Sequence, residues 1–516
     1  MKENLSNYPL LLIFVVSIMF SACNINTGNN DQHEIITPVT ITPVTDFEYE
    51  IIDGCAVISR YTGNDTEVYF PETIEGCPVT ELVSTQSGIF SNSPSLYHDI
   101  TKIVLPSTLK IIGEKAFDYC IKLESIGIPD SVTTICSGAF FRCDSLDEII
   151  IPESVTSIEG HPFFGCKNLA RINVDPGNKS YMSENGILYD KNQKELICYP
   201  GGKSDAYFFP ASVETIREYA FYGSLLTSIS IPDTIENIGP FTFSYCKKLE
   251  SINHYSENIS YISECMFAFC ENLDSFTIPG NITDIRDRAF AYCYSLSEIR
   301  IPDSVINMGY SVFSSCTGLS SVMLPEVDTF STISETCFSG CKNLSKITIP
   351  DNVTSIGYGA FVSSGLSAIE LPDSVVIIGE RAFSECTSLA SFTFPPEVKV
   401  IEDNTFKGCS SLTEIDIPDG IESIGNNAFN KCSGLTRLMI GNSVKRIGYY
   451  AFWDCDELAV IEISVTDPPN AVLAFNPNTM NTDPVVCVPE SSDDSIIDAY
   501  RSSWQPFADF FQEKQF

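Results

Sequence analysis

Along most of this chain the apolar positions follow a fixed order that neither a helical nor a simple strand period describes. Around Phe290 the order is Phe290, Cys293, Leu296, Ile299, Ile301, Pro302, Val305, Met308 and Gly309, with mostly polar residues between. The next copy reads Phe313, Cys316, Leu319, Val322, Leu324, Pro325. The frame recurs fourteen times, at Phe117, Phe140, Phe163, Phe221, Phe243, Phe267, Phe290, Phe313, Phe338, Phe361, Phe383, Phe406, Phe429 and Phe452. Most steps are 22 to 25 residues, and the step from Phe163 to Phe221 is 58. A fixed period in this range predicts a solenoid. Within a unit, Leu296-x-x-Ile299-x-Ile301 predicts a short strand with Ile299 and Ile301 inward and Glu298 and Arg300 outward. Pro302-Asp303-Ser304 ends it, because proline cannot donate to a ladder and Pro-Asp favours a turn. Val305 and Met308 predict a second inward edge, and Gly309 a corner with positive φ. One coil cannot cover so many apolar side chains, so neighbouring coils must stack.

These motifs resemble the BspA-like (Treponema pallidum type) leucine-rich repeat family, whose signature is similar to C-x-x-L-x-x-I-x-I-P-x-S-V-x-x-I-G-x-x-A-F. The resemblance covers roughly residue 47 to the C-terminus. It is highly specific for fold and only weakly specific for ligand. It implies a mainly-β repeat solenoid, a right-handed leucine-rich repeat superhelix of ~23-residue coils with N- and C-terminal caps. It also implies association with adhesion to host extracellular-matrix proteins and to other cells.

The ends depart from the repeat. Residues 1–23 predict a lipoprotein-type signal peptide. Residues 9–20 form an apolar run too short to span a bilayer, and Phe20-Ser21-Ala22-Cys23 resembles a lipobox, which makes Cys23 the expected lipidation site. The alternative is cleavage near Ala22 with secretion and no lipid. Residues 24–46, rich in Asn, Thr, Gly, Asp and Pro, predict a flexible tether. Residues 47–94 predict an N-terminal cap, with a hairpin around Asp53-Gly54 and a first coil. Residues 95–463 are the array. Removing one period from its long step leaves an insert at about 175–209, with two strands at 185–190 and 195–200. The family carries similar inserts. Residues 464–516 resemble the family's C-terminal cap, with a short helix expected from about 493 to 503.

Charge narrows the partners. The net charge of −37 argues against nucleic acid and against electrostatic adsorption to anionic lipid, both of which need clustered Lys and Arg. Contact with a membrane is expected only through the N-terminal lipid. Twelve of the 20 Cys lie three residues after the repeat Phe, with Ser224 and Ser364 in that slot in two further copies. Neighbouring strands lie about 4.8 Å apart, a distance a disulfide can span, but parallel Cβ vectors disfavour one and free thiols are expected. Four scattered His and no paired C-x-x-C argue against zinc. No nucleophile elbow, Walker loop or H-E-x-x-H occurs, so neither an enzyme nor a cofactor is expected.

What remains is surface. The two outward columns of the strand face are dominated by Ser and Thr, with scattered charges and a few Met. Glu298, Arg300, Met323 and Lys346 bring charges and an exposed apolar side chain onto adjacent coils near its middle. They are the candidate ligand-binding residues, since solenoids use such arrays to hold extended partners. The expected function is a cell-surface or outer-membrane, lipid-anchored monomer that binds an extracellular or host protein. The alternative is a structural or carbohydrate-capture envelope lipoprotein. Grouped exposed aromatics on one face would favour sugar, and the strand columns contain none.

Overall fold

The structure is a computed structural model that describes residues 41–83, 88–90, 99–465, 468–471, 473–476, 485–488, 498–500, 504 and 511–513. Cys23 and most of the expected tether lie outside these residues. So does the helix expected at 493–503, except for residues 498–500, which are helical.

The chain is a mainly-β solenoid of stacked coils. Many coils contribute a strand of three or four residues to the face carrying Glu298–Arg300, and most contribute a two-residue strand to a second edge. On the first face the ladders are parallel and in register one repeat apart, as in Glu298 opposite Ser321 and Arg300 opposite Met323. The second edge runs the same way, with Ser355 opposite Ile377 and Ile356 opposite Ile378. Short strands suffice because the ladders are backed by a continuous core in which inward residues of successive coils pack against one another. The chain enters this stack through the antiparallel hairpin Phe47–Ile52 and Cys55–Tyr61. Its turn is made by Asp53 and Gly54, at φ 49° and 79°.

The repeat Phe forms the spine. From Phe221 to Phe475 successive rings are stacked, with centroids 5.0 to 5.7 Å apart and planes within 26°. The structure adds four members that the Phe-x-x-Cys frame missed: Tyr61, Phe90, Tyr199 and Phe475. Each is followed by something other than Cys, and two are tyrosines. Trp504 closes the far end, 5.2 Å from Phe475, and donates its indole N–H to the Pro469 carbonyl.

Tyr199 corrects the expected insert. Its N–H donates to the Ala220 carbonyl, as the Phe290 N–H donates to that of Val312, and its ring stacks 5.1 Å from Phe221. The step of 58 residues is therefore two coils, 36 and 22 residues long, counted from Phe163 to Tyr199 and on to Phe221. The extra length sits in the first. There, Tyr181–Glu184 pairs with Ile187–Asp190 as a hairpin, and Glu195–Cys198 returns to the parallel edge beside Thr215–Ile216. Tyr181–Glu184 was not anticipated as a strand.

Gly309 also serves a different purpose from the one expected. Its φ is not positive; a Cβ there would lie 2.5 Å from the Asp287 backbone nitrogen of the preceding coil. Glycine is needed because two coils touch. The positive φ values lie two residues before and two after the repeat Phe, as at Arg288 (55°) and Tyr292 (64°). This left-handed geometry lets alternate N–H groups of the corner point along the stack. Arg288, Phe290 and Tyr292 donate to Tyr310, Val312 and Ser314.

The cysteine column completes the corner. Among the described residues nineteen Cys are free thiols. In the column the Sγ donates to the carbonyl of the repeat Phe one coil earlier, as Cys316 does to Phe290 at 3.0 Å and Cys409 to Phe383 at 3.2 Å. Ser364 extends the same line, 3.4 Å from the Cys386 sulfur. Burial raises the thiol pKa of Cys386 to about 11 and pushes those of Cys270, Cys409 and Cys432 well up, which keeps these thiols protonated and unreactive.

These contacts set an order of cost. Phe313→Ala should destabilise by about 3–5 kcal/mol and Cys316→Ala by about 1 kcal/mol, since the second loses little volume and one weak hydrogen bond. Cys316→Ser should cost less than Cys316→Ala, because the hydroxyl can still donate. Urea unfolding of the three variants checks the ranking. Thiol titration before and after unfolding, without reductant, should show the column alkylated only when unfolded.

Candidate functional site

The strand face places three of the four candidate residues on one ladder. Glu298 and Arg300 flank buried Ile299, and Ser321 and Met323 flank buried Val322. Strand alternation therefore fixes Arg300 and Met323 outward, side by side on neighbouring strands. Met323 is 52% exposed. Lys346 is exposed on the next coil, but its segment joins no hydrogen-bonded ladder, so the register that aligns Arg300 with Met323 does not extend to it.

Arg300 differs from other arginines of this face in its company. Arg171 is held by Glu148 at 3.1 Å on the neighbouring strand, and Arg437 by Glu462 at 3.0 Å. Among the described residues Glu298, Arg300 and Lys346 form no ion pair within 4.0 Å, so they are open to charges from outside. Among the described residues Met323 has two exposed apolar rivals on the face, Ile150, 57% exposed opposite Asn173, and Val104, opposite Tyr69.

A second surface was missed by the sequence reading, which tested only the strand columns. The left-handed corner slots carry aromatic side chains over several coils. Tyr245, Phe269 and Tyr292 stack in series, with centroids 4.3 Å apart at each step. Tyr219 stacks on Phe241 at 4.6 Å and on His161 at 3.7 Å. The signal was present: Tyr245, Phe269 and Tyr292 each stand two residues after a repeat Phe. His161 is enclosed by this cluster, with Phe164 4.8 Å away. Burial, reinforced by nearby Arg217, lowers its pKa to about 4. The Glu218 carboxylate lies 3.8 Å from its Nδ1, yet the imidazole is neutral at pH 7, so this contact is not an ion pair there.

The BspA-type leucine-rich repeat model, six copies long, matches residues 84–194, 203–320 and 331–459. That is more than half of the chain. The chain belongs to the BspA-type leucine-rich repeat family. Among solved structures it is similar to a leucine-rich repeat protein from Bacteroides ovatus, at 24% identity over 92% of this chain and 99% of that one, with a TM-score of 0.48. It is also similar to a leucine-rich cell surface protein from Faecalibacterium prausnitzii, at 25% identity over 78% and 94%, with a TM-score of 0.41. The Treponema pallidum leucine-rich repeat protein matches at 21% identity over 54% and 91%, with a TM-score of 0.25. No curated protein matches the chain.

Among the described residues no group of three or more His, Cys, Asp or Glu is placed to hold a metal ion, and no helix is long and apolar enough to cross a membrane. In this BspA-type array the repeats are scaffold, and the chemistry on offer lies in the outward side chains of its faces and corners.

The state of His161 can be read from stability against pH. Its folded pKa lies below the unfolded value of about 6.5, so the stabilisation is complete above that pH and is lost as pH falls toward 4. Asp118, whose pKa burial raises to about 6, acts with the opposite sign over the same range. Comparing His161→Gln with the parent isolates the histidine. From pH 7 to pH 5 the parent should lose about 1–2 kcal/mol more than the variant, measured by urea unfolding at each pH.

Proposed function

We propose that this chain is a non-enzymatic cell-surface binding protein. Its strand face docks an extracellular protein, either a host matrix protein or a surface protein of another cell. Family membership supports a role in protein–protein interaction. The observation that carries the reading is the pairing of Arg300, free of any ion pair among the described residues, with half-exposed Met323 on the adjacent strand. A charged group and an apolar anchor set in a Ser-rich surround is the composition of an interface hot spot. In a paired state such as Arg171 with Glu148, the arginine would first have to give up its partner.

Display at the surface is assigned to the N-terminal segment. Cys23 at the end of the lipobox-like sequence takes the lipid, and the residues up to about 46 hold the array away from the membrane. A single chain suffices, and a monomer is the proposed state.

The docking face is tested by Arg300→Glu combined with Met323→Glu. Both side chains point outward, so the circular dichroism spectrum and melting temperature should stay within a degree or two of the parent. Pull-down of fragment 24–516 against matrix proteins identifies the partner, and the double variant should lose at least tenfold in affinity for it. Normal binding by this variant, with loss on charge reversal at Asp303 and Asp351 beyond the strand, would place the site elsewhere.

Anchoring is tested separately. Cys23→Ser should move the protein from the detergent phase to the aqueous phase in a phase-partition experiment. Equal partitioning of variant and parent would exclude the lipid.

A further inference from the structure

The corner that carries the aromatic series also contains a gap. Two residues after the spine aromatic, successive coils present Tyr119, Arg142, Gly165, Gly201, Gly223, Tyr245, Phe269 and Tyr292. Three adjacent coils thus have no side chain in a slot that its neighbours fill with arginine or tyrosine. The result is a cleft of about 790 Å³ whose floor includes Gly165, Gly201 and Gly223. Gly201 is available for this only because Tyr199 restores the repeat inside the lengthened coil. A Cβ at Gly201 would sit 2.8 Å from the Cys166 carbonyl, so that position holds no larger residue without movement.

The walls are of two kinds. Tyr119, Phe141, Tyr222 and Tyr245 supply apolar and aromatic surface. Arg142, Lys167, Lys247 and Lys248 supply charge, and no Asp or Glu lines the cleft. The chain as a whole has 67 acidic and 30 basic residues, so four cations around one cavity without a lining carboxylate run against its composition. Lys167 and Lys247 have carboxylate partners outside the lining, Asp144 at 2.7 Å and Glu271 at 2.6 Å. Lys248 has no ion pair among the described residues. Arg142 is held over the Tyr119 ring, 5.0 Å from its centroid, and has no ion pair within 4.0 Å among the described residues, with Asp144 and Asp118 acting on it from further off. These two are placed to receive an anion.

Size and backbone chemistry select the class of ligand. A cavity of this volume suits a small molecule or a short oligomer, whereas a folded protein buries about 800 Å² per partner on a broad surface. An extended peptide would seek a free strand edge. Here the Gly223 N–H is spent between coils, donating to the Ser244 carbonyl at 2.9 Å. Recognition falls to rings and cations. Rings match the C–H faces of a pyranose, and cations match its acid group.

We infer that this corner cleft is a binding site for an acidic oligosaccharide, a short glycan carrying uronic-acid carboxylates, with Arg142 and Lys248 taking the acid and the tyrosine-lined wall packing on the sugar. It is distinct from the strand face, and either site can fail without the other.

Calorimetric titration of fragment 24–516 with tri-galacturonic acid tests it, with cellotriose and hexaglutamate as neutral and peptide controls and a heparin tetrasaccharide as a sulfated uronate. The galacturonate should bind, at least tenfold more tightly than either control, and weaken with added salt. Lys248→Glu, on an exposed side chain, should cut its affinity at least tenfold. Gly223→Tyr closes the gap without changing charge. Its Cβ would meet nothing within 4 Å, and Tyr245 and Tyr292 already occupy this slot at φ 61° and 64°. That variant should keep the parent melting temperature and lose binding. Binding of the heparin fragment alone would still place an acidic glycan here if both variants abolish it. Absence of binding to both acidic saccharides overturns the proposal. So does equal binding of hexaglutamate or cellotriose, or galacturonate binding that neither variant weakens.

Discussion

The stacked ring is the contact on which the rest of this structure depends. Each coil sends one aromatic side chain into the corner, and that ring is covered by the rings of the coils before and after together with the inward Leu, Ile and Cys side chains of the same core. A buried Phe contributes roughly 1.5–3 kcal/mol through area alone, with offset stacking adding to it, and none of this is available to an isolated coil. The array therefore stands or falls through its neighbours, and its ends need different chemistry. Tyr61 and Phe47 do this at one end, 5.4 Å apart, and Trp504 against Phe475 at the other.

A ring at every coil imposes a second constraint on the backbone. At most coils the Phe is buried and its N–H paired along the stack by left-handed turns two residues before and two after it, whereas Tyr199 pairs with Ala220 without them. Such φ values are costly for most side chains, yet Tyr245, Phe269 and Tyr292 adopt them because the surrounding hydrogen bonds leave no alternative. This corner is also freer than the strand face in what it can carry. A strand side chain must share space with two neighbours at about 4.8 Å, which favours Ser and Thr. The corner accepts anything from glycine to tyrosine, so it can be built up or hollowed out coil by coil.

The fold was legible because the repeat is written in residue types that each have one physical role. Leu, Ile and Phe mark what is buried, Pro and Gly where the coil bends. The outward placement of Glu298, Arg300 and Met323 was legible for the same reason, since alternation along a strand leaves no choice. What escaped was where one role is filled by another residue. Tyr199 packs as Phe does but has no Cys after it, so a frame keyed to Phe and Cys passed over a whole coil. Gly309 was read through its φ, the usual reason for glycine in a turn, whereas the close approach of Asp287 is a property of two coils and has no local signal. Lys346 was placed by counting, but the ladder does not reach it, because hydrogen bonding depends on how each coil leaves its turn.

The aromatic corner was overlooked for a different reason. Its members are spaced by one repeat, and their meaning depends on which way the slot faces, which spacing does not give. Once the slot is seen to face outward, composition takes on a new sense. A net charge of −37 describes the field far from the protein, but at physiological salt that field is screened within about 8 Å. A ligand seated in a cleft responds to the charges within that radius, and around Gly223 these include Arg142 and Lys248. The acidic remainder of the surface still acts on approach, repelling anions in general and leaving the corner as the place where one can settle. An excess of acid over the whole chain and an affinity for acid at one site are therefore compatible, and the first makes the second more selective.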